Sequence, residues 1–295
     1  MATTRITASN LALELDGKSA GSLRSCQPAS VRVEVHHGGT APDFAVRGGV
    51  RIALGEMAAE ADLAEPGPLV DWLARLLSGD MALQSGAVVL ADMNFKAQRR
   101  IGFTGACLTA LNWPVLDAAD GKRPFTVGLR WLAERVDDDA ASGNVKDRLS
   151  GKRKAIQAGN FRIDGLPFGG EFVTRIALPA ISMAWPGADT GGSRWDGRPA
   201  AVLTLGELRL EVAARQGDAV RKWVRQLIAD GTLDNNEALH LKVDMLDTAL
   251  KKALATIDLQ GCQLRGLDEG VLGRADAPAG LSLRFAVGAL KLTLS

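Results

Sequence analysis

The stretch PLVDWLARLLSG, Pro68 to Gly79, places Leu69, Trp72, Leu73, Leu76 and Leu77 at the i, i+3, i+4, i+7, i+8 spacing of one helix face. Pro68 suits a first helical position, and Gly79 suits a C-terminal stop. A second stretch, DAVRKWVRQLIADG from Asp218 to Gly231, repeats the face with Val220, Trp223, Val224, Leu227 and Ile228. Here Asp218 is the expected N-cap and Gly231 the expected stop. Trp72 and Trp223 take the second point of each stripe and are expected to anchor the helices to a core.

The surroundings of the two helices match as well. VRIALGEM (Val50 to Met57) and AVLTLGEL (Ala201 to Leu208) share the tripeptide Leu-Gly-Glu, and Gly55 to Gly206 spans 151 residues, as does Trp72 to Trp223. Upstream, two segments alternate apolar and polar residues around a turn signal. They are Leu11 to Val35, around Asp16-Gly17, and Asn160 to Trp185, around Asp164-Gly165. Loops are expected to follow, opening at His36-His37-Gly38-Gly39 in the first case and running from Pro186 to Pro199 in the second.

Downstream, Gly86 to Leu111 reads as a hairpin turning near Asn94. Ala238 to Leu264 reads likewise, with Asp92-Met93 matched by Asp244-Met245. The helix-forming residues Ala249 to Leu254 leave that second turn ambiguous, and the first copy favours a hairpin. Leu129-Arg130-Trp131 and Leu283-Arg284-Phe285 close the two series.

Five correspondences in one order, with offsets between 148 and 156, predict an internal duplication of about 150 residues. The expected boundaries are 1–137 for one domain, 138–159 for a solvated linker and 160–295 for the second domain. The predicted class is mainly β with one helix per domain. Each domain is a small β-sandwich or barrel, because an amphipathic helix needs an apolar sheet face to bury itself.

The net charge of +1 argues against a dedicated nucleic-acid binder. No apolar run approaches the roughly 18 residues that span a bilayer. The start MATTRITASNLALELDG lacks the basic end and apolar block of a signal peptide, so cytosolic synthesis and no membrane binding are expected. Cys26, Cys107 and Cys262 form neither a disulfide framework nor a zinc spacing. His36 and His37 are adjacent, so an extended chain points them apart. The Gly-rich Pro186 to Arg194 lacks the lysine of a phosphate loop. Asp189-Thr190-Gly191 lacks both the apolar strand and the second carboxylate that an aspartic dyad needs. No active site, metal site or cofactor is predicted.

With FRIDGLPFGG (Phe161 to Gly170), the helices around Trp72 and Trp223, the hairpins ending at Leu111 and Leu264, and the closing strands at Leu129 and Leu283, the plan resembles the tail-tube protein family. That family serves contractile phages and related injection systems. The resemblance covers both copies. It implies rings of six domains around a channel, hence a trimer of two-domain chains stacked into a tube. Alternatives are a hub, initiator or terminator ring of the same particle, or a duplicated β-barrel that binds a ligand or peptide. The resemblance also implies cytoplasmic assembly, sheath, baseplate or tape-measure partners, and DNA or protein cargo in the channel. Loop residues expected to meet neighbouring rings are His36, Asp43, Asp189, Arg194, Trp195 and Arg198.

Overall fold

The computed structural model describes residues 10–37, 46–63, 66–80, 82–146, 156–184, 201–229, 238–269 and 280–295. In chain order the first half runs β1 (Asn10–Leu15), β2 (Lys18–Gln27), β3 (Val31–His37), β4 (Val46–Leu54), β5 (Met57–Asp62), α1 (Pro68–Ser78), β6 (Gln84–Ala91), β7 (Ala97–Asn112), the short β8 (Leu116–Asp117), β9 (Thr126–Leu132) and β10 (Arg135–Ala140). The second half runs β11 (Phe161–Asp164), β12 (Val173–Ala177), β13 (Ile181–Ala184), β14 (Val202–Leu205), β15 (Leu208–Ala213), α2 (Gly217–Ala229), β16 (Leu239–Leu246), β17 (Ala253–Glu269), β18 (Gly280–Ala286) and β19 (Ala289–Leu294). The described residues are therefore mostly β, with two long helices among them, as the period-two and period-3.6 patterns predict.

The first sheet closes on itself. Antiparallel pairing runs β7–β6–β1–β2–β5–β9 and returns to β7, with β10 added on β7. Closure works because β7 is long and changes partners partway, from β6 to β9. Gly105 makes that change at φ 59°, a conformation that costs glycine nothing. On the second sheet β17 passes from β16 to β18, and Gly261 sits at the change with φ 65°. There the order is β11–β16–β17–β18–β15–β12, with β19 on β17.

The second sheet leaves β11 and β12 unpaired with each other, and one expected turn is corrected there. Asp16-Gly17 turns β1 tightly into β2, but Asp164-Gly165 does not close a hairpin. β11 pairs with β16, and β12 pairs with β15 and with β8 from the first half. The reason lies in the intervening residues: Leu166 and Phe168 turn into the core, and the Phe168 ring lies 5.6 Å from Trp223.

α1 packs through its predicted face, whereas α2 turns Val220, Trp223 and Val224 toward the core and leaves Ile228 exposed. Leu69, Trp72, Leu73 and Leu76 of α1 are buried, and Gly79 ends the helix with its N–H donated to the Leu76 carbonyl. Trp72 sits between Phe103 at 6.3 Å and Trp131 at 6.0 Å. α2 begins earlier than predicted. A 3-10 turn over Ala214–Gln216 leads into it, and Asp218 lies in its first turn, fully exposed and 3.1 Å from Arg221, rather than capping it. Gly231 lies outside the described residues.

The acidic start of the expected linker is partly structured. Residues 138–140 continue β10 against β7, while Val145, Ile156 and Ala158 are buried. One sequence match also shifts. Asp92 and Asp247, not Asp92 and Asp244, hold the two hairpin turns, each accepting backbone N–H groups from the turn that follows. Asp244 lies within β16.

Candidate assembly interface

The two halves meet through strands. β13 alternates, with Ile181 and Met183 buried and Ser182 and Ala184 exposed. This alternation gives it one apolar face to cover. It covers that face on the first half by adding to the far edge of β7, Ile181 opposite Leu111 and Ser182 opposite Ala110. Leu111 thus has β9 on one side and β13 on the other. β14 follows as the outer strand, with Ile181 opposite Leu205. The base of this β13–β14 arm is fixed where the Gly206 N–H donates to the Ala180 carbonyl at 2.7 Å. A β-carbon at Gly206 would lie 3.2 Å from Ala180 backbone atoms, which explains glycine in the Leu-Gly-Glu tripeptide.

Side chains reinforce the joint. The Trp113 indole N–H donates to the Pro179 carbonyl at 3.0 Å. Arg175 lies 3.2 Å from Asp117 and 3.0 Å from Glu211. The Phe125 N–H donates to the Ile156 carbonyl at 2.7 Å, and the Ala158 N–H to the Arg123 carbonyl at 2.7 Å. Met183 also closes a shallow cleft lined by Trp72, Leu76, Cys107 and Leu108, so the arm of the second half covers the helix face of the first.

The first half carries an arm of the same build. β3 pairs with β4, Val31 opposite Leu54, and the Gly55 N–H donates to the Ser30 carbonyl at 2.7 Å. Among the described residues this arm pairs with no other strand. Val31 is 63% exposed, whereas Ile181, at the same register position, is 1% exposed.

The second half has the matching vacancy of cover. Gly266 and Leu267 of β17 pair with Arg284 and Leu283 of β18, and among the described residues no strand lies on their other edge. Leu264, Leu267 and Trp223 are only half-buried, and Ile228 is exposed.

Of the residues singled out from sequence, Trp72 is buried and Trp223 half-buried, both packed against the core. His36 is not in a loop: β3 runs through His37, and His36 pairs with Arg47. Asp43, Asp189, Arg194, Trp195 and Arg198 lie outside the described residues, as does Asp189-Thr190-Gly191. The residues that make the joint, Ala110, Leu111, Trp113 and Ile181, were not singled out. The alternation in Ile181-Ser182-Met183-Ala184 was their one local signal.

The chemistry at hand is that of packing. Cys26, Cys107 and Cys262 are free, and burial pushes each thiol up to about 11, with Asp80 adding to the effect at Cys107. They are therefore poor nucleophiles at neutral pH. Among the described residues no three His, Cys, Asp or Glu side chains cluster to hold a metal. Among the same residues no helix is long and apolar enough to cross a membrane.

No protein-family model matches the chain. No curated protein matches it either. Among solved structures, it is similar at 13% identity to a chain of the anti-feeding prophage baseplate, over 47% of this chain and 97% of that one, with a TM-score of 0.40. It is similar at 12% identity to a chain from the sheath/tube terminator of an extracellular contractile injection system, over 48% and 100%, with a TM-score of 0.37. Hcp1 from Flavobacterium johnsoniae is similar at 13% identity over 46% and 98%, with a TM-score of 0.33.

Proposed function

We propose that this chain is a structural, ring-forming component of a phage tail or phage-like contractile injection particle, built from two tandem copies of one tube-like domain. Three chains then supply six domains, and stacked rings form a tube. The observation that carries the reading is the joint between the halves, where β13 extends the edge of β7. Such a head-to-tail contact uses two different surfaces, and contacts of that kind build rings when the rotation closes. The repeated order of strand pairings around α1 and α2 supports the duplication. In the assembled particle the chain meets sheath, baseplate or tape-measure proteins, and DNA or protein cargo passes through the channel.

The test is the native mass of the purified protein with negative-stain images of the same sample. A mass of three chains, and rings with a central hole, is the expected result. A monomer at every concentration and salt would refute the ring. Rings that fail to stack would favour a hub or terminator ring over the main tube.

A further inference from the structure

We propose that the β3–β4 arm of one copy adds, in a second copy, to the edge of β17 that no described strand covers, antiparallel, with Val31 opposite Leu267 and Arg32 opposite Gly266. The inference rests on the ring reading and names the surfaces that join one chain to the next.

The template lies within the chain. In the joint, Ile181 stands opposite Leu111 and Ser182 opposite Ala110. Each of those four positions has a counterpart fixed by strand register. On the arm, Ile181 pairs with Leu205 and Val31 pairs with Leu54, both leucines of the Leu-Gly-Glu tripeptide. On the receiving strand, Ala110 and Leu111 pair with Arg130 and Leu129 of β9, and Gly266 and Leu267 pair with Arg284 and Leu283 of β18. Even the irregularity recurs, between Leu108 and Ala110 on β7 and between Leu264 and Gly266 on β17. The transferred register is therefore single-valued: Val31 meets Leu267.

Burial points to the same occupant. Where the internal arm has docked, Leu108, Leu111, Trp72 and Leu76 are buried. Where no arm is docked among the described residues, their counterparts Leu264, Leu267, Trp223 and Leu227 are only half-buried. The half-buried face on the second half and the exposed Val31 on the first half are two faces of one contact. An open strand edge beside apolar side chains is a template for strand addition, and a chain cannot satisfy both of its own ends at once if the join is head-to-tail.

The experiment mixes two single variants, V31C and L267C, and treats them with a short thiol-to-thiol cross-linker. Facing residues on antiparallel strands have β-carbons about 4.5–5.5 Å apart. The native thiols, held protonated by burial, give a low background. The expected result is a cross-linked pair in the mixture and none with either variant alone. The double variant in one chain should give a ladder that ends at the number of chains per ring, three if the ring reading holds.

Rings in negative stain without the cross-link would overturn this register and leave the ring reading standing. A ladder ending at another number would keep the join and overturn the trimer. Cross-linking by one variant alone, or a protein that stays monomeric and uncross-linked, would overturn the join. As a second variant, V31D should raise the concentration needed for assembly by about tenfold or more, because it forfeits burial of a valine side chain. Its thermal unfolding as a monomer should match that of the parent, since Val31 is exposed in the single chain. Assembly of V31D at the parental concentration would overturn the proposal.

Discussion

Asp244 is 1% exposed on β16, and its surroundings decide its charge. Burial pushes its carboxyl up, but hydrogen bonds from Thr256 at 2.7 Å and Arg162 at 2.7 Å, with Lys242 at 3.4 Å, outweigh that and hold it below the usual carboxylate range. A depressed carboxylate stabilises the fold above its unfolded value, about 3.9 for aspartate, and the contribution is lost as pH falls through the folded value. Asp244→Asn should therefore be less stable than the parent at neutral pH, and the gap should close as pH falls below about 4. Urea midpoints measured across that range check it, and a gap independent of pH would mean that the carboxylate charge is not what matters. The two tryptophans give a second contrast. Trp72, buried between Phe103 and Trp131, should cost about 3–5 kcal/mol when replaced by Ala. Trp223, half-buried against Phe168 and Phe285, should cost clearly less in the unassembled chain. Equal losses in urea unfolding of the monomers would contradict the difference in cover.

At the scale of elements, the two arms share a build and differ in what they touch. Ile181→Ala removes a side chain that is buried on β7 and should cost about 2–5 kcal/mol. Val31→Ala trims an exposed side chain and should change the stability of the monomer by less than about 0.5 kcal/mol. Chemical unfolding of both variants at low concentration tests the pair, and a large loss for Val31→Ala would mean that its arm is already docked within the chain. The arms also mark where sequence reading stops. The helices and the Leu-Gly-Glu bases are local features, written in side-chain period and in a glycine that admits a close backbone contact, so they could be read. Alternation in Ile181-Ser182-Met183-Ala184 says that one face is buried but not that Leu111, 70 residues earlier, buries it. Pairing partners across such distances leave no local trace. Short identities can also mislead. Asp-Met recurs at 92 and 244, yet the aspartates that hold equivalent turns are Asp92 and Asp247, because the turn chemistry needs the carboxylate beside the reversing backbone. Likewise Asp164-Gly165 carries a hairpin signal, and Leu166 and Phe168, drawn into the core, override it.

At the scale of the whole molecule, strands cross between the halves in both directions, β13 onto β7 and β8 onto β12. Neither half can leave without uncovering Leu111, Leu116 and Ile181, all buried, so the single chain should melt in one cooperative step. In the proposed ring, assembly couples that step to concentration. For three chains that fold and join as one trimer, each tenfold rise in concentration adds two-thirds of about 1.4 kcal/mol, about 0.9 kcal/mol, to the stability of each chain. For a chain of this size, 1 kcal/mol moves the melting temperature by about 1.6 °C. The parent protein should therefore melt about 1.5 °C higher for each tenfold increase in concentration across its assembly range. V31D, unable to seat its arm on the next copy, should melt at one temperature throughout. Scanning calorimetry over a hundredfold dilution series reads both slopes, about 3 °C in total for the parent and none for the variant. Parallel slopes would show that the chains associate through another surface, and two flat lines would show that the folded chain draws no stability from its copies.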